Sequence, residues 1–488
     1  MNFSDTEVAM SILLDNGFLK TNSVKDADVI LVMTCSIRES AEDKIWKRLK
    51  YYQSIKQNRH PSKLPLKIGI LGCMAERLKT KILEREKIVD LVCGPDAYRD
   101  LPRLLAITES NQSAANVQLS LEETYSDISP VRINPSSKSA FVSIMRGCDN
   151  MCAYCIVPFT RGRERSRPIS SIRSEISKLA EQGVKEVVLL GQNVNSYRDT
   201  SERVFPGQQT TLSNGFKTVY KTKQGGLRFS DLLDKVSLDN PEIRFRFTSP
   251  HPKDFPDEVL YLIKERANIG TNIHLPAQSG NNAVLENMRR GYTREAYLKL
   301  VDHIRSIIPD VALTSDFIAG FCGETEEAHL DTISLLKLAK YEYCFSFMYS
   351  MREKTQAFHR LVDDVPLDIK KRRLDEIVYT FRELVLERHK NQIGQEQLVL
   401  VEGISKRSES DLYGRNDRNT KVIFPNVEVE NNGTLQPIQP GDYIVVKINN
   451  CSSQVLKGNA LTHSSITEFT YYQVLKQGFE STEILKFQ

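Results

Sequence analysis

The chain has 488 residues, which at roughly 150 residues per domain predicts about three domains. Lysine and arginine number 66 against 62 aspartates and glutamates, so the net charge of +4 does not indicate a nucleic-acid binder, and such binding would need local patches. The 40% hydrophobic and 26% charged content excludes collagen-like, coiled-coil and wholly disordered chains. Apolar runs of roughly 18 residues are lacking, so no membrane-spanning helix is predicted. Nine cysteines are too few for a small disulfide scaffold, and their clustering predicts metal ligation in a reducing compartment.

Residues 1–106 alternate between helix and strand patterns. Two β-rich apolar runs, 29–33 and 67–71, are each followed by a cysteine and then by a helix pattern. This alternation predicts an α/β domain with a doubly wound parallel sheet. Cys35 and Cys73 come just past the carboxyl end of a strand, which is the edge where open α/β sheets place their ligands.

Residues 107–138 are predicted to be a linker, and strand–loop–helix units return over 139–365. The six strand candidates are 140–145, 186–190, 243–247, 273–275, 312–317 and 344–348. Six such units predict a partial (βα)6 barrel, interrupted by a polar insertion over 199–226.

The last part of the chain changes character. Residues 366–390 predict one amphipathic connecting helix. Residues 391–463 carry short strand patterns separated by Gly, Asn and Pro, which predict a small β-barrel. Residues 464–488 are predicted to be a C-terminal tail.

The most specific motif is Cys148-Asp-Asn-Met-Cys152-Ala-Tyr-Cys155. Three thiolates on one short loop, without an adjacent fourth ligand, suit a cubane iron–sulfur cluster that keeps one iron open. This spacing is the signature of radical S-adenosylmethionine (SAM) enzymes, in which reductive cleavage of SAM yields a deoxyadenosyl radical that activates C–H bonds. The alternatives are a zinc knuckle, which would want a fourth Cys or His nearby, and three buried thiols.

Cys35 and Cys73 form a second candidate set. Each precedes a helix whose amino terminus favours a thiolate, although two buried structural thiols are the open alternative. Cys93 lies at a third strand end. The isolated cysteines, expected to be structural, are Cys322, Cys344 and Cys451.

The segments that carry both sets resemble the methylthiotransferase family. They are 34–39, 71–75, 146–158 and 161–167, and the resemblance covers essentially the whole chain. Runs 69–78, 94–105 and 145–168 resemble the eukaryotic mitochondrial branch, which is named for association with a regulatory subunit of a cyclin-dependent kinase. That branch resembles the bacterial tRNA enzyme that adds a methylthio group to isopentenyladenosine beside the anticodon.

The resemblance implies three domains and two [4Fe-4S] clusters. Cys148, Cys152 and Cys155 would hold the radical SAM cluster and be catalytic, whereas Cys35 and Cys73 match two ligands of an auxiliary cluster. The C-terminal β-barrel would be an OB-like TRAM domain that grips tRNA. The third auxiliary ligand of the family lies in a Gly-Cys-Gln-Met-Asn stretch, and this chain begins at its Met-Asn. We therefore expect a fragment or a short isoform without the first strand, and whether Cys93 replaces that ligand stays open.

The resemblance also implies the reaction and its partners. One SAM would donate a methyl group to sulfur, and a second would be cleaved so that sulfur is transferred to carbon 2 of isopentenyladenosine. The partners would be the tRNA anticodon stem-loop and a ferredoxin- or flavodoxin-like electron donor, in mitochondria or, for the chain as given, the cytosol. The alternatives are methylthiolation of threonylcarbamoyladenosine or a ribosomal-protein aspartate, and a non-enzymatic protein that binds a kinase regulatory subunit.

Loops at the carboxyl ends of barrel strands are where such folds place their sites. The position of Gly191, Gln192 and Asn193 resembles the family's contact for the methionine amino group of SAM. Later loops predict a cofactor-binding set that adds Ser249, Asp316 and Tyr349, with His251 and His274 as weaker candidates. For any one of them, a plain polar loop is the open alternative.

Two basic groups are candidates for RNA binding. Arg161, Arg163, Arg165 and Arg167 alternate in a way that fits an extended segment presenting its guanidinium groups together to phosphate. In the TRAM-like segment, one basic face is predicted from Lys406, Arg407, Arg415, Arg418 and Lys421. Solvated or internally paired charges are the alternative for both groups.

Overall fold

The chain folds into two compact units. A computed structural model describes residues 1–36, 39–201, 215–218 and 225–476. The cysteine unit comprises Met1–Pro135, Ser143–Ile172 and Ser350–Leu361, and the barrel unit comprises Ser136–Val142, Arg173–Tyr349 and the described part of Val362–Gln488. The predicted polar insertion over 199–226 lies largely outside the described residues.

None of the described helices is both long and apolar enough to cross a bilayer.

The cysteine unit begins with a four-stranded parallel sheet in the order β1-β2-β3-β4. The elements in chain order are α1 (Asn2–Asp15), β1 (Val29–Thr34), α2 (Glu39–Gln57), β2 (Lys67–Gly72), α3 (Cys73–Leu78), α4 (Lys81–Arg85), β3 (Leu91–Cys93), α5 (Leu101–Glu109) and β4 (Ala114–Asn116). Alternate residues of β1 enter different cores: Ile30 and Val32 pack with α2, whereas Leu31 and Met33 pack with α1 and α5. Helices therefore cover both faces, and the predicted doubly wound α/β fold is confirmed.

The structure differs from the linker predicted over 107–138. Helix α5 continues to Glu109, and β4 adds a fourth strand whose first amide donates to Asp90 O over 2.9 Å. Tyr125 is buried farther on, where its hydroxyl accepts from Tyr98 N and donates to Pro95 O, both over 3.0 Å. Small polar residues locally indicate a linker, so the sequence pattern did not predict these long-range contacts.

The chain then passes through the first barrel strand into an antiparallel hairpin that frames the cysteine loop. The elements are β5 (Ser139–Ser143), β6 (Met145–Arg146), α6 (Val157–Thr160) and β7 (Arg165–Ser166). Strands β6 and β7 pair through Met145 with Ser166 and Arg146 with Arg165.

Among the described residues, six barrel strands form two three-stranded sheets, which confirms the predicted partial barrel. The elements that follow are α7 (Ile169–Glu181), β8 (Glu186–Leu190), β9 (Arg198–Asp199), β10 (Leu227–Arg228), α8 (Phe229–Asp239), β11 (Arg244–Phe247), α9 (Asp257–Glu265), β12 (Asn272–His274), α10 (Asn282–Asn287), α11 (Arg294–Ile307), β13 (Ala312–Ala319), α12 (Glu326–Ala339), β14 (Tyr343–Met348), α13 (Gln356–Arg360) and α14 (Leu367–Lys390). Strands β11-β8-β5 form one sheet and β12-β13-β14 another. A parallel bridge between Phe245 and Ile269 connects them.

A small β-barrel follows α14, as predicted. Its strands are β15 (Glu396–Ile404), β16 (Asp411–Arg415), β17 (Lys421–Pro425), β18 (Val429–Asn431), β19 (Thr434–Gln436), β20 (Tyr443–Cys451) and β21 (Leu456–Ser464). The pairing of β17 with β21 closes the sheet around an aliphatic core. The predicted tail contains a further helix, α15 (Ile466–Lys476).

Two buried arginines of β11 join the small β-barrel to the parallel strands. Arg246 donates to Asn416 O and Asp417 O, each over 2.7 Å, and pairs with Glu186 over 2.8 Å. Arg244 donates to Arg415 O over 3.1 Å. The turn between β16 and β17 is thereby fixed against the barrel.

Candidate functional site

The loop that carries Cys148, Cys152 and Cys155 leaves β6 through a close backbone crossing. Gly147 has a φ of +78°, and a Cβ at this position would lie 2.0 Å from Arg163 O. The amide of Cys148 donates to Gly162 O over 3.1 Å, and that of Cys155 donates to Cys152 O over 3.0 Å. The first hydrogen bond holds the loop against the segment that follows it, and the second forms a turn within the loop.

The surroundings of these thiols suit ligands of a cluster. Cys148 and Cys152 are buried, and Cys155 is half-buried. Burial raises the pKa of the Cys148 thiol well above its ordinary value, and Glu164, Cys155 and Cys152 raise it further. Thiolates gathered here therefore require a cationic partner, because water does not solvate them.

Within the described residues, no three Cys, His, Asp or Glu side chains surround one metal-ion position. The three cysteines of a cubane each bind a different iron, so they need not converge on one point. The Asn150 amide nitrogen on this loop is buried and finds no hydrogen-bond partner in the described part of the chain. The loop therefore fits a [4Fe-4S] cluster.

Cys35 and Cys73 lie at the same level of the parallel sheet. Cys35 follows β1, Cys73 follows β2, and the last residues of these strands, Thr34 and Gly72, are register partners. A Cβ on Gly72, whose φ is +90°, would meet Thr34 O at 2.8 Å. Close strand approach thus brings the two cysteines to one edge, as their positions in the sequence predicted.

Burial and one arginine act in opposite directions on Cys73. Burial raises the pKa of the Cys73 thiol and outweighs the opposing effect of Arg161, while Asp5 and Cys35 raise it further. Arg161 Nε donates to Cys73 Sγ over 3.0 Å. The neighbouring Ser36 hydroxyl is buried and finds no partner among the residues that the structure describes. Two thiols with donors around them fit cluster ligands.

Cys93 has the features of a core thiol. It is fully buried among apolar residues of the α1–α5 core, and its thiol donates to Ala97 O over 3.2 Å. Burial raises its pKa far above the ordinary value. The Cys93 thiol therefore faces a carbonyl acceptor, whereas the Cys73 sulfur faces an arginine donor.

The structure corrects the prediction that four arginines present their guanidinium groups together. Arg161, Arg165 and Arg167 are only 2%, 6% and 4% exposed. Arg165 pairs with Asp96 over 3.0 Å, and Arg167 donates to Ser143 O over 2.8 Å. The side chain of Arg163 alone among the four is largely exposed, at 62%.

The buried arginines belong to a charge network that the sequence did not reveal. Asp5 pairs with Arg146 over 2.9 Å and with Arg161 over 2.5 Å, and Asp96 pairs with Arg146 over 3.4 Å. Burial alone would raise the pKa of Asp5, but Arg161 and Arg146 outweigh it and lower that pKa to about 2. The available signal was that Asp5 falls in helical register with Val8 and Ile12, on the apolar face of α1.

Several predicted cofactor residues follow strands of the barrel. Gly191, Gln192 and Asn193 come after β8, and Asn193 is 1% exposed. Its amide nitrogen donates to Asp254 over 3.0 Å and its amide oxygen accepts from His251 N over 3.1 Å. Asn193 thus connects the loops after β8 and β11. The oxygen of Gln192 is buried and has no partner among the described residues.

The other predicted cofactor residues lie on later strands. Ser249 follows β11 with a φ of +58°. Asp316 lies within β13, where it is 3.4 Å from His274 Nε2. Tyr349 follows β14 and lies under the Lys370 ammonium, 5.2 Å from the ring centroid. His251 is buried, and burial lowers its pKa well below the ordinary value, so its imidazole is neutral.

The predicted basic face of the small β-barrel is divided. Arg418 pairs over 3.1 Å with buried Glu342, which turns its charge inward. Arg415 and Lys421 face each other across β16 and β17, with Arg415 also paired to Glu402 over 3.1 Å. Lys421 lies 4.5 Å from the centroid of the Tyr413 ring. Tyr413, Arg415 and Lys421 therefore form one group, while Lys406 and Arg407 are exposed in the segment after β15.

Comparison with known proteins agrees with this architecture. Residues 142–336 match the Radical SAM superfamily, residues 1–94 match Uncharacterized protein family UPF0004, and residues 390–461 match the TRAM domain. One solved structure, the radical S-adenosylmethionine methyltransferase TsrM from Kitasatospora setae, shares the fold with a TM-score of 0.50 and 14% identity, covering 72% of this chain and 73% of that one. Fold and cysteine loop together define a radical SAM enzyme.

Two curated relatives place the chain within this class. "Mitochondrial tRNA methylthiotransferase CDK5RAP1" of Mus musculus is 62% identical over 97% of this chain and 81% of that protein. "tRNA-2-methylthio-N(6)-dimethylallyladenosine synthase" of Chloroherpeton thalassium is 49% identical over 94% of each. The chain belongs to the tRNA methylthiotransferase family, which confirms the family resemblance seen in its motifs.

Proposed function

We propose that this enzyme adds a methylthio group to carbon 2 of isopentenyladenosine next to the anticodon of mitochondrial tRNAs. The names of the mouse and Chloroherpeton relatives support the tRNA, the nucleoside and the compartment. The structural observation that carries the proposal is that both cysteine sets lie within one compact unit. A sulfur-inserting radical enzyme needs both a radical-generating centre and a sulfur-donating one.

In this proposal each cysteine set has its own role. Cys148, Cys152 and Cys155 would hold a [4Fe-4S] cluster, and Cys35 and Cys73 would contribute to a second. When bound, the first cluster supplies the electron, received from a ferredoxin- or flavodoxin-like donor, that cleaves SAM reductively. Because Cys148 and Cys152 are buried, bulk water would be kept away from this chemistry.

The bonds and electrons of the net reaction balance with two SAM molecules and one sulfide-level sulfur atom from the sulfur-donating centre, because formation of the C–S bond returns the electron that cleaves the second SAM. The first gives its methyl group to sulfur and leaves as S-adenosylhomocysteine. The second is cleaved to methionine and 5′-deoxyadenosine, which carries away the hydrogen of carbon 2. A C–S bond replaces that C–H bond. The adenine must be unstacked to be reached, as for other base-modifying enzymes.

Residues of the barrel unit would orient SAM and tRNA. Gln192, Ser249, Asp316 and Tyr349 lie in loops or strand segments where barrel sites bind their ligands. Asn193 would fix the loop that carries Gln192, since its own amide is engaged with Asp254 and His251. Lys421, Arg415 and Tyr413 would contact the RNA backbone and a base.

Anaerobic reconstitution followed by two assays tests the proposal. We expect about eight irons per chain, and conversion of isopentenyladenosine in a tRNA substrate to its 2-methylthio form, detected by mass spectrometry of nucleosides. Cys148→Ser should abolish SAM cleavage. Cys451→Ser, at a half-buried cysteine on β20, is the matched control and should retain it. SAM cleavage by Cys148→Ser would overturn the cluster assignment.

A further inference from the structure

Arg161 physically connects the two cysteine sets of the cysteine unit. Its amide donates to Val157 O over 2.8 Å, which places it directly after α6. The next residue, Gly162, accepts the hydrogen bond from Cys148 N, while the Arg161 side chain donates to Cys73 Sγ over 3.0 Å. One dipeptide therefore holds a ligand of each proposed cluster.

The guanidinium has donors on two sides. Nη2 lies 2.5 Å from Asp5, and Nε faces the sulfur of Cys73. Nη1 is buried and has no hydrogen-bond partner among the residues the structure describes. With Arg161 only 2% exposed, this donor cannot be satisfied by bulk solvent.

Arg161 lies in a network of buried charges. It shares Asp5 with Arg146, and Asp96 pairs with both Arg146 and Arg165. The guanidinium therefore brings a fixed positive charge to the sulfur of Cys73.

We infer that Arg161 is the positioning residue of the auxiliary cluster: it orients Cys73 and sets that cluster's reduction potential through its charge and its N–H donors. The inference rests on the proposed function, since it requires a cluster on Cys73. Hydrogen bonds to cluster sulfurs and nearby positive charge stabilise the reduced, more negative state. Removing the guanidinium should therefore make the potential of this cluster more negative.

The test is a redox titration of the reconstituted protein followed by electron paramagnetic resonance. Arg161→Gln should shift the auxiliary potential to lower values, or lower the iron content from about eight to about four, while the cluster on Cys148 keeps its signal. Arg161→Lys keeps the charge without the planar donors, so its shift should be smaller. Arg167→Gln is the control, because it removes an arginine of the same unit that is 4% exposed and donates to Ser143 O.

The outcomes of this titration distinguish failure of the Arg161 inference from failure of the proposed function. Two intact clusters with an unchanged auxiliary potential in Arg161→Gln would overturn the inference and leave the proposed function standing. Equal effects in Arg167→Gln would overturn it as well, since the role would then be general packing. A wild-type protein that holds only the cluster on Cys148 would overturn both the second cluster and the role of Arg161.

Discussion

Asp5 and Arg146 form a buried ion pair, in which the carboxylate oxygen and Nη1 are 2.9 Å apart although the residues are 141 positions apart in the chain. The pair joins the first helix of the cysteine unit to the strand that leads into the cysteine loop. The side chains are 1% and 2% exposed. Such a pair is costly to break because the remaining partner keeps an uncompensated buried charge.

Asp5→Asn is therefore expected to destabilise the cysteine unit by about 3 kcal/mol. The single tryptophan, Trp46 in α2, lies in this unit, so its fluorescence during urea unfolding reports the loss. Asp26→Asn, which removes an exposed pair with Lys63, serves as the control and should leave the transition unchanged. Equal transitions for both variants would show that the buried pair contributes no stability.

Glu76 should make the stability of the same unit depend on pH. Burial raises its pKa from 4.5 to about 7, against the opposing effect of Lys79. The folded state therefore favours the protonated carboxyl, and stability falls as the pH rises from about 4.5 to about 7. Below this window the effect vanishes, and above it the loss is complete.

The measurement compares wild type with Glu76→Gln, which cannot ionise. The variant should gain relative stability between about pH 5 and about pH 7, reaching on the order of 2 kcal/mol at about pH 8. Unfolding followed by Trp46 fluorescence gives the difference at each pH. A difference that stays constant across this range would mean that the carboxyl keeps its ordinary pKa.

Local patterns predicted much of the fold and little of the charge network. The six barrel strands and the cysteine positions after strands follow from short apolar runs and their neighbours, so the sequence revealed them. The burial of Arg165 depends on Asp96, which is 69 positions away, and that of Arg161 depends on Asp5. A run of alternating arginines has the same sequence pattern whether the arginines are exposed or buried against carboxylates. Only the tertiary fold determines which of the two occurs.

The same distinction limits predictions about RNA binding. Lys421 and Arg418 are three positions apart in the sequence, but Arg418 is neutralised by Glu342, whereas Lys421 lies against the Tyr413 ring. We therefore expect Lys421 to contact tRNA phosphate. Lys421→Ala should weaken tRNA binding and reduce the slope of log affinity against log salt by about 1.

Binding isotherms at several salt concentrations measure that slope. Lys63→Ala is a matched control, because Lys63 is an exposed lysine paired with Asp26, and its removal should not change the slope. A slope that Lys421→Ala leaves unchanged would remove this residue from the RNA interface.

Gly147 offers the most direct test of how the cysteine loop is built. Its φ of +78° is strained for a residue with a side chain, and a Cβ would lie 2.0 Å from Arg163 O. Gly147→Ala must therefore shift the backbone on one side of the crossing, which breaks the hydrogen bond from Cys148 N to Gly162 O. The expected result is loss of about four irons per chain and of SAM cleavage, while Trp46 fluorescence still reports a folded unit.

Gly433→Ala is the control: its φ is +83°, but no atom lies within 4 Å of the added Cβ, so the substitution costs only about 1 kcal/mol and leaves the iron content unchanged. Full iron content in Gly147→Ala would show that the loop does not depend on this close crossing.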